Sequence, residues 1–245
     1  MGNEARFYFM FDMLGDMVRS GPLLWQVKRE RLEDIKDHIL DLIILERMLS
    51  NYFPSNIQCD KIIDLALVHD IEEAITGDIP GEFNGVSKEE KKRVNNIAID
   101  YICDRFEGIL PFRHLFDEYE NVTTIESKIC HMLDKVQSII PFAKYDSESE
   151  IDMNDPRINN ILQRLPLIVE GKKQGKKLSE LFYDYHIKAV YITDEELDRF
   201  GISRPEADSI CQVIKSFMNS IMEQSKHIND IKNDFPKEAS IYKHM

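Results

Sequence analysis

The chain is short of the residues that interrupt helices, with 10 glycines and 9 prolines among 245 positions. Apolar residues recur at helical spacing almost everywhere, so the pattern argues against a turn-rich sandwich or barrel and predicts a mostly helical protein. Cysteine is scarce too. Cys59, Cys103, Cys130 and Cys211 stand far apart, form no Cys-x-x-Cys pair, and leave a structural zinc site without ligands; a reducing cytoplasm is the simplest setting. No apolar run approaches the length of a membrane span, and the N-terminus lacks the ordered regions of a signal peptide. The start Met1-Gly2-Asn3-Glu4-Ala5-Arg6 has arginine where a myristoylation signal needs Ser or Thr. The expectation is a cytoplasmic protein with no membrane partner. Positive charge is also in deficit: 31 Lys and Arg against 44 Asp and Glu give a net charge of −13. That argues against wrapping duplex nucleic acid, which needs a basic face. A small anionic substrate stays open, provided that a metal and a few basic side chains supply local positive potential.

What is present is a succession of amphipathic segments long enough to bury one substantial core. A first helix is expected over residues 4–19, with Phe7, Met10, Phe11, Leu14, Met17 and Val18 on one face and Ser20-Gly21-Pro22 as its stop. A second, over 33–51, buries Ile35, Ile39, Leu42, Ile43 and Leu49 and leaves His38 at the edge of that stripe. A third, over 61–76, is apolar nearly all round, which marks it as central, and Gly77 is its natural stop. Residues 81–87 read as a loop and a candidate rim for an active site. Ser87-Lys88-Glu89-Glu90 reads as a capping box opening a helix that runs to Phe106. Residues 122–143 give a further helix, with Asp134 inside its apolar segment. After an acidic stretch at 146–150, helices are expected at 157–170, 178–190, 194–200 and 205–226, with the lysine-rich 171–177 as a solvated loop. The fold class is therefore all-α: one domain over 1–245, with a core at about 4–145 and a C-terminal helical extension at about 155–228.

The densest chemistry lies in LALVHDIEEAITGDIP, residues 65–80. An apolar helical run ends there in His69-Asp70, followed by Glu73 and then Asp78. Buried polar groups without partners cost several kcal/mol, so something should satisfy them. A divalent metal would, because neutral imidazole and carboxylate both ligate first-row ions. Glu73 shares the helix end with His69 and Asp70, and Gly77 lets the chain turn Asp78 back toward it. His38 and Asp134 come from helices that must flank a central apolar one. Singly, His38 reads as a hydrogen-bonded core histidine and Asp134 as a partner for Lys135; together, each polar intrusion has the same explanation. Four mixed nitrogen and oxygen donors suit a roughly octahedral Mn, Co, Fe or Mg site completed by water. A closed tetrahedral zinc site fits less well without thiolates. His131, one turn before Asp134, reads as a helix-face residue, with a place behind the ligands as the alternative. Tyr183, Tyr185 and Tyr191 read as members of apolar stripes, with base stacking as the alternative.

The order His38, His69-Asp70, Asp134 resembles the HD-domain metal-dependent phosphohydrolases, whose signature is H…HD…D on an all-helical core. Within that superfamily Asp37-His38 and the run His69 to Pro80 are similar to the 5′-deoxynucleotidase branch, which has a glutamate three positions after the HD aspartate and a Gly-Asp-hydrophobic-Pro segment behind it. The likeness covers about residues 19–80 and 125–140. It implies an HD-domain helical bundle with His38, His69, Asp70 and Asp134 as ligands of one divalent metal ion, Glu73 as the catalytic carboxylate near the attacking water, and Asp78 close to the sugar and leaving oxygen. It also implies a homodimer. The branch has an Arg-Trp pair upstream of the first His that contacts the nucleotide; here Leu24 precedes Trp25, and Arg19, Lys28, Arg29 and Arg31 are the nearby cations. The substrate-binding candidates are thus Arg19, Trp25 and Arg29. Guanosine-tetraphosphate hydrolases carry HD-x-x-E-D, but Ala74 follows Glu73 here; cyclic-nucleotide phosphodiesterases and dGTP triphosphohydrolases place further histidines just after HD, and none follows His69 before His114.

The resemblance implies hydrolysis of a (deoxy)nucleoside 5′-monophosphate, its phosphomonoester attacked by a metal-activated water. Two other readings stand beside it: an HD-type hydrolase of another phosphate ester, and a non-catalytic nucleotide-binding HD domain. The second would have no need of an unligated carboxylate such as Glu73.

Overall fold

The computed structural model describes residues 2–21, 32–79, 86–145, 170–171 and 174–227. Trp25 and Arg29, most of the 81–87 loop and nearly all of the helix expected at 157–170 lie outside them. Helix α1 spans Gly2–Asp12, and a 3-10 turn, Met13–Asp16, follows it. The expected helix over 4–19 is therefore too long. Its last residues pair with another segment instead: Ile35 N–H donates to the Met17 carbonyl at 3.0 Å and Arg19 N–H to the Glu33 carbonyl at 2.9 Å. This is the only extended pairing among the described residues, a bridge between Val18 and Asp34. It turns Val18 out to solvent and carries Arg19 and Ser20 inward.

Helix α2, Ile35–Leu49, starts on Asp34, whose side chain accepts from Asp37 N–H, as an N-cap should. Helices α3, Cys59–Val68, and α4, Glu73–Thr76, replace the single third helix expected from periodicity. Between them residues 69–72 form a tight turn, with Ile71 N–H on the Val68 carbonyl and Glu73 N–H on that of Asp70. Gly77 then stops α4 as expected, with φ at 73°, a region that favours glycine. Helix α5, Lys88–Phe106, starts on Ser87, which accepts from Glu90 N–H; the Glu90 carboxylate binds Arg93, so only half of the capping box forms.

Helix α6, Phe112–Asn121, was not anticipated, although Phe112, Leu115, Phe116 and Tyr119 are all buried at i, i+3, i+4 and i+7. Helix α7, Ile125–Gln137, starts on a full Thr124–Ser127 capping box, and α8, Ile139–Tyr145, continues it past a break. Beyond lie α9, Leu178–His186, α10, Asp194–Phe200, and α11, Arg204–Gln224. Tyr185 and Tyr191 are about half exposed, so neither belongs to a buried stripe. Among the described residues, no helix is long and apolar enough to cross a membrane.

Helix α3 is central: it packs against α2, α6 and α7, and α2 also packs against α7. The C-terminal helices add to the same apolar mass. Ala207, Ile210, Ile214 and Met218 of α11 join Ile62, Leu65, Ile129 and Leu133 in one buried cluster. Ile214→Ala should therefore destabilise the whole chain by about 2–5 kcal/mol, read as one shifted denaturant midpoint. A separate early transition confined to the C-terminal helices would contradict this.

Candidate metal centre

Three helix ends meet where α2, α3 and α7 touch. His38 lies in the first turns of α2, with its backbone N–H on the Asp34 carbonyl. It is wholly buried, not at the stripe's edge, because α3 and α7 cover both flanks. His69 follows the last residue of α3, and Asp134 sits one turn before the end of α7. One donor atom from each of His38, His69 and Asp134 falls within 4.8 Å of the other two.

The geometry fixes the histidine tautomers. His69 Nδ1 lies 2.7 Å from the Ala66 carbonyl, which can only accept, so Nδ1 carries a proton. His38 Nδ1 lies 2.6 Å from Gln137 Oε1. That amide is oriented in turn, because its Nε2 donates to Glu33 at 2.6 Å. Both rings thus aim Nε2 at the same point, with the two atoms 3.2 Å apart. Asp70 Oδ2 stands 3.1 Å from His69 Nε2 and 3.6 Å from His38 Nε2, and Asp134 Oδ1 stands 3.4 Å from His38 Nε2. Two inward lone pairs between two carboxylates require a positive charge, either a shared proton or a cation.

The electrostatics follow the same logic. Burial and the Arg19 charge lower the proton affinity of His38. Burial acts the same way on His69, but the adjacent Asp70 carboxylate overcomes it and raises the ring above its ordinary value. Burial would raise the Asp70 carboxyl, yet His69 at its side holds it well below the carboxylate range. Asp134 is held low against burial by Lys135, whose ammonium lies 2.7 Å away. The pairing of Asp134 with Lys135 and its place beside His38 therefore hold together. Burial, then Asp70, pushes Glu72 up to about 8.

Glu73 is 5% exposed, and its Oε2 has no hydrogen-bond partner. Burial, followed by Asp70, Asp78 and Glu72, pushes its carboxyl well above the ordinary range. Asp78 accepts from Ser20 N–H at 2.6 Å. Arg19 reaches Asp70 at 3.3 Å and approaches Glu33 at 3.9 Å. The structure thus gathers His38, His69, Asp70, Asp134, Glu73, Asp78 and Arg19, and leaves Trp25 and Arg29 outside the described residues. His131 is not a plain helix-face residue: it lies 2.9 Å from the Tyr119 carbonyl and stacks on that ring at 3.8 Å, while Tyr119 packs against His69. Sequence reasoning missed Gln137 and Glu33, which act on the ring nitrogen turned away from the centre. It missed Lys91 and Asn95 as well.

An all-helical bundle with a buried His and Asp cluster at the meeting of three helices places together donors that could hold a cation between helices. A family model described as an HD domain matches residues 11–181. The chain belongs to the HD domain family. Among its relatives, a Saccharomyces cerevisiae protein named 5′-deoxynucleotidase is 32% identical over 124 residues, 47% of this chain and 50% of that protein. A human protein of the same name is 29% identical over 149 residues, 59% of this chain and 71% of that one. The chain thus spans half the length of the yeast relative. Among solved structures, PH0347 from Pyrococcus horikoshii superposes with a TM-score of 0.56 at 19% identity, over 89% of this chain and 98% of that one. A protein from Magnetospirillum magnetotacticum titled "predicted metal-dependent phosphohydrolase" gives 0.52 at 14%, over 92% and 95%. At these identities the likeness is one of fold.

Proposed function

We propose that this chain is a metal-dependent phosphohydrolase that releases phosphate from (deoxy)nucleoside 5′-monophosphates, acting as one domain. The observation that carries the reading is the pair of Nε2 atoms 3.2 Å apart, both with their other nitrogen engaged, beside Asp70 and Asp134. His38, His69, Asp70 and Asp134 would hold one divalent ion; the nitrogen and oxygen donor set favours Mn, Co, Fe or Mg over structural zinc. Such an ion supplies Lewis acidity toward phosphoryl oxygens and water.

The remaining steps belong to the chain. Glu73, with an unengaged oxygen in a water-poor setting, orients the attacking water and takes its proton. Asp78, anchored on Ser20 N–H, attends the departing 5′ oxygen. Arg19 places a permanent cation on the same edge and offsets phosphate charge. The substrate class comes from the names of the relatives. Four free cysteines accord with a reducing compartment.

The test is elemental analysis of purified protein joined to phosphate release from a panel of ribo- and deoxynucleotides and other phosphate esters, with Mn, Co or Mg added. Release from 5′-monophosphates supports the reading; turnover confined to another ester class, or binding without turnover, rejects it. The Glu33–Gln137–His38 relay predicts a further outcome. Gln137→Leu removes the group that fixes the His38 tautomer and should weaken metal affinity by about 10–100-fold, measured by competition with a chromogenic chelator.

A further inference from the structure

Two side chains of α5 grip the backbone stretch that carries both acid–base candidates. Lys91 and Asn95 stand four residues apart, so they share one face of the helix, one turn above the other. Asn95 Nδ2 donates to Glu72 Oε1 at 2.7 Å, and Lys91 Nζ donates to the Ile79 carbonyl at 2.7 Å. Glu72 and Ile79 bracket residues 73–78, the span that begins with Glu73 and ends with Asp78. A third anchor, from Ser20 N–H to Asp78, holds the same end.

The span needs such support. Helix α4 is a single turn of four residues, too short to hold itself. It is joined to Asp78 through Gly77, the residue with the most backbone freedom. Glu72 is 3% exposed, and its one hydrogen-bonded oxygen is engaged by Asn95. Helix α4 packs directly on α5, so the two grips extend an existing contact.

We propose that α5 is a splint for the catalytic stretch, with Lys91 and Asn95 as positioning residues that set where Glu73 and Asp78 stand relative to the His and Asp centre. Neither touches the reacting atoms. Their hydrogen bonds act through Glu72 and the Ile79 carbonyl. The Lys91 ammonium also bears on the Glu73 charge, so Asn95 is the purer probe of position. The inference rests on the roles proposed above for Glu73 and Asp78. A misplacement of about 1 Å in a catalytic group costs on the order of 100-fold in rate. The four proposed metal ligands lie outside residues 73–78, so metal binding should be spared.

The experiment compares Lys91→Met, Lys91→Arg, Asn95→Leu and Glu73→Gln in the full chain, reading kcat, KM for a nucleoside 5′-monophosphate, and bound metal. Lys91→Met and Asn95→Leu should lower kcat by about 10–100-fold with KM within about threefold and metal content unchanged. Lys91→Arg, which keeps a donor, should recover most of the loss. In a Glu73→Gln background each substitution should lower kcat by less than it does in the parent, because only the part that passes through Asp78 is left to lose. If both variants keep kcat, or raise KM with kcat intact, or lose activity only in step with metal, the splint is overturned. Should Glu73→Gln itself turn over normally, the roles assigned to the active site fall, and the splint falls with them. If Glu73→Gln is inactive while Lys91→Met and Asn95→Leu are fully active, only the splint is rejected.

Discussion

His69→Ala should abolish bound divalent metal and phosphate release together. The substitution removes one of two inward nitrogens and leaves Asp70 and Asp134 facing His38 without the ring that balances them. Two carboxylates and one imidazole are a poorer cage, so the ion is lost on dialysis. Several kcal/mol of charge stabilisation at the phosphoryl group goes with it, on the order of a thousandfold in rate. Chelation of the parent protein should mimic the variant, with one difference: added Mn or Co restores the parent and leaves His69→Ala inactive. The fold should survive, because Leu65, Ala66 and Val68 carry the apolar contacts of α3. Phosphate release by His69→Ala at the parent rate, or full metal content after dialysis, would remove this histidine from the centre.

The residues proposed to bear chemistry were legible in the sequence because each breaks an apolar pattern. His38, His69-Asp70 and Asp134 interrupt stretches that packing alone would fill with Leu or Ile, and Gly77 marks the stop where φ turns positive. What could not be read was set by contacts between distant segments. Residues 17–19 look helical locally, and only their pairing with Glu33 and Ile35 straightens them. The break at 69–72 is invisible to a period of 3.6, since the turn keeps the apolar side of Ile71 buried. Gln137, Glu33, Lys91 and Asn95 act through single hydrogen bonds, and no spacing rule announces those. Helix α6 is a different case: Phe112, Leu115, Phe116 and Tyr119 repeat at helical spacing in the sequence itself. Arg19 was named for its place near the signature, but what delivers it to Asp70 is the Val18–Asp34 bridge.

Glu73→Gln separates the reading of this centre as a catalyst from its reading as a binding site. Gln keeps the size of the side chain and loses the ability to take a proton. None of the four proposed ligands is altered, so metal content should match the parent. Gln is nearly isosteric with the buried Glu73 side chain, so the fold should be retained. Catalysis by a positioned general base contributes about 10²–10⁴-fold, and kcat should fall by that factor with KM little changed. The pH dependence adds a second check. If Glu73 is the base, the limb of the parent profile that rises with pH reports its ionisation, and that limb should vanish from the residual activity of Glu73→Gln. Residual activity that keeps the same limb would assign the proton to another group. Undiminished kcat would reduce Glu73 to a buried acid that packs beside the centre.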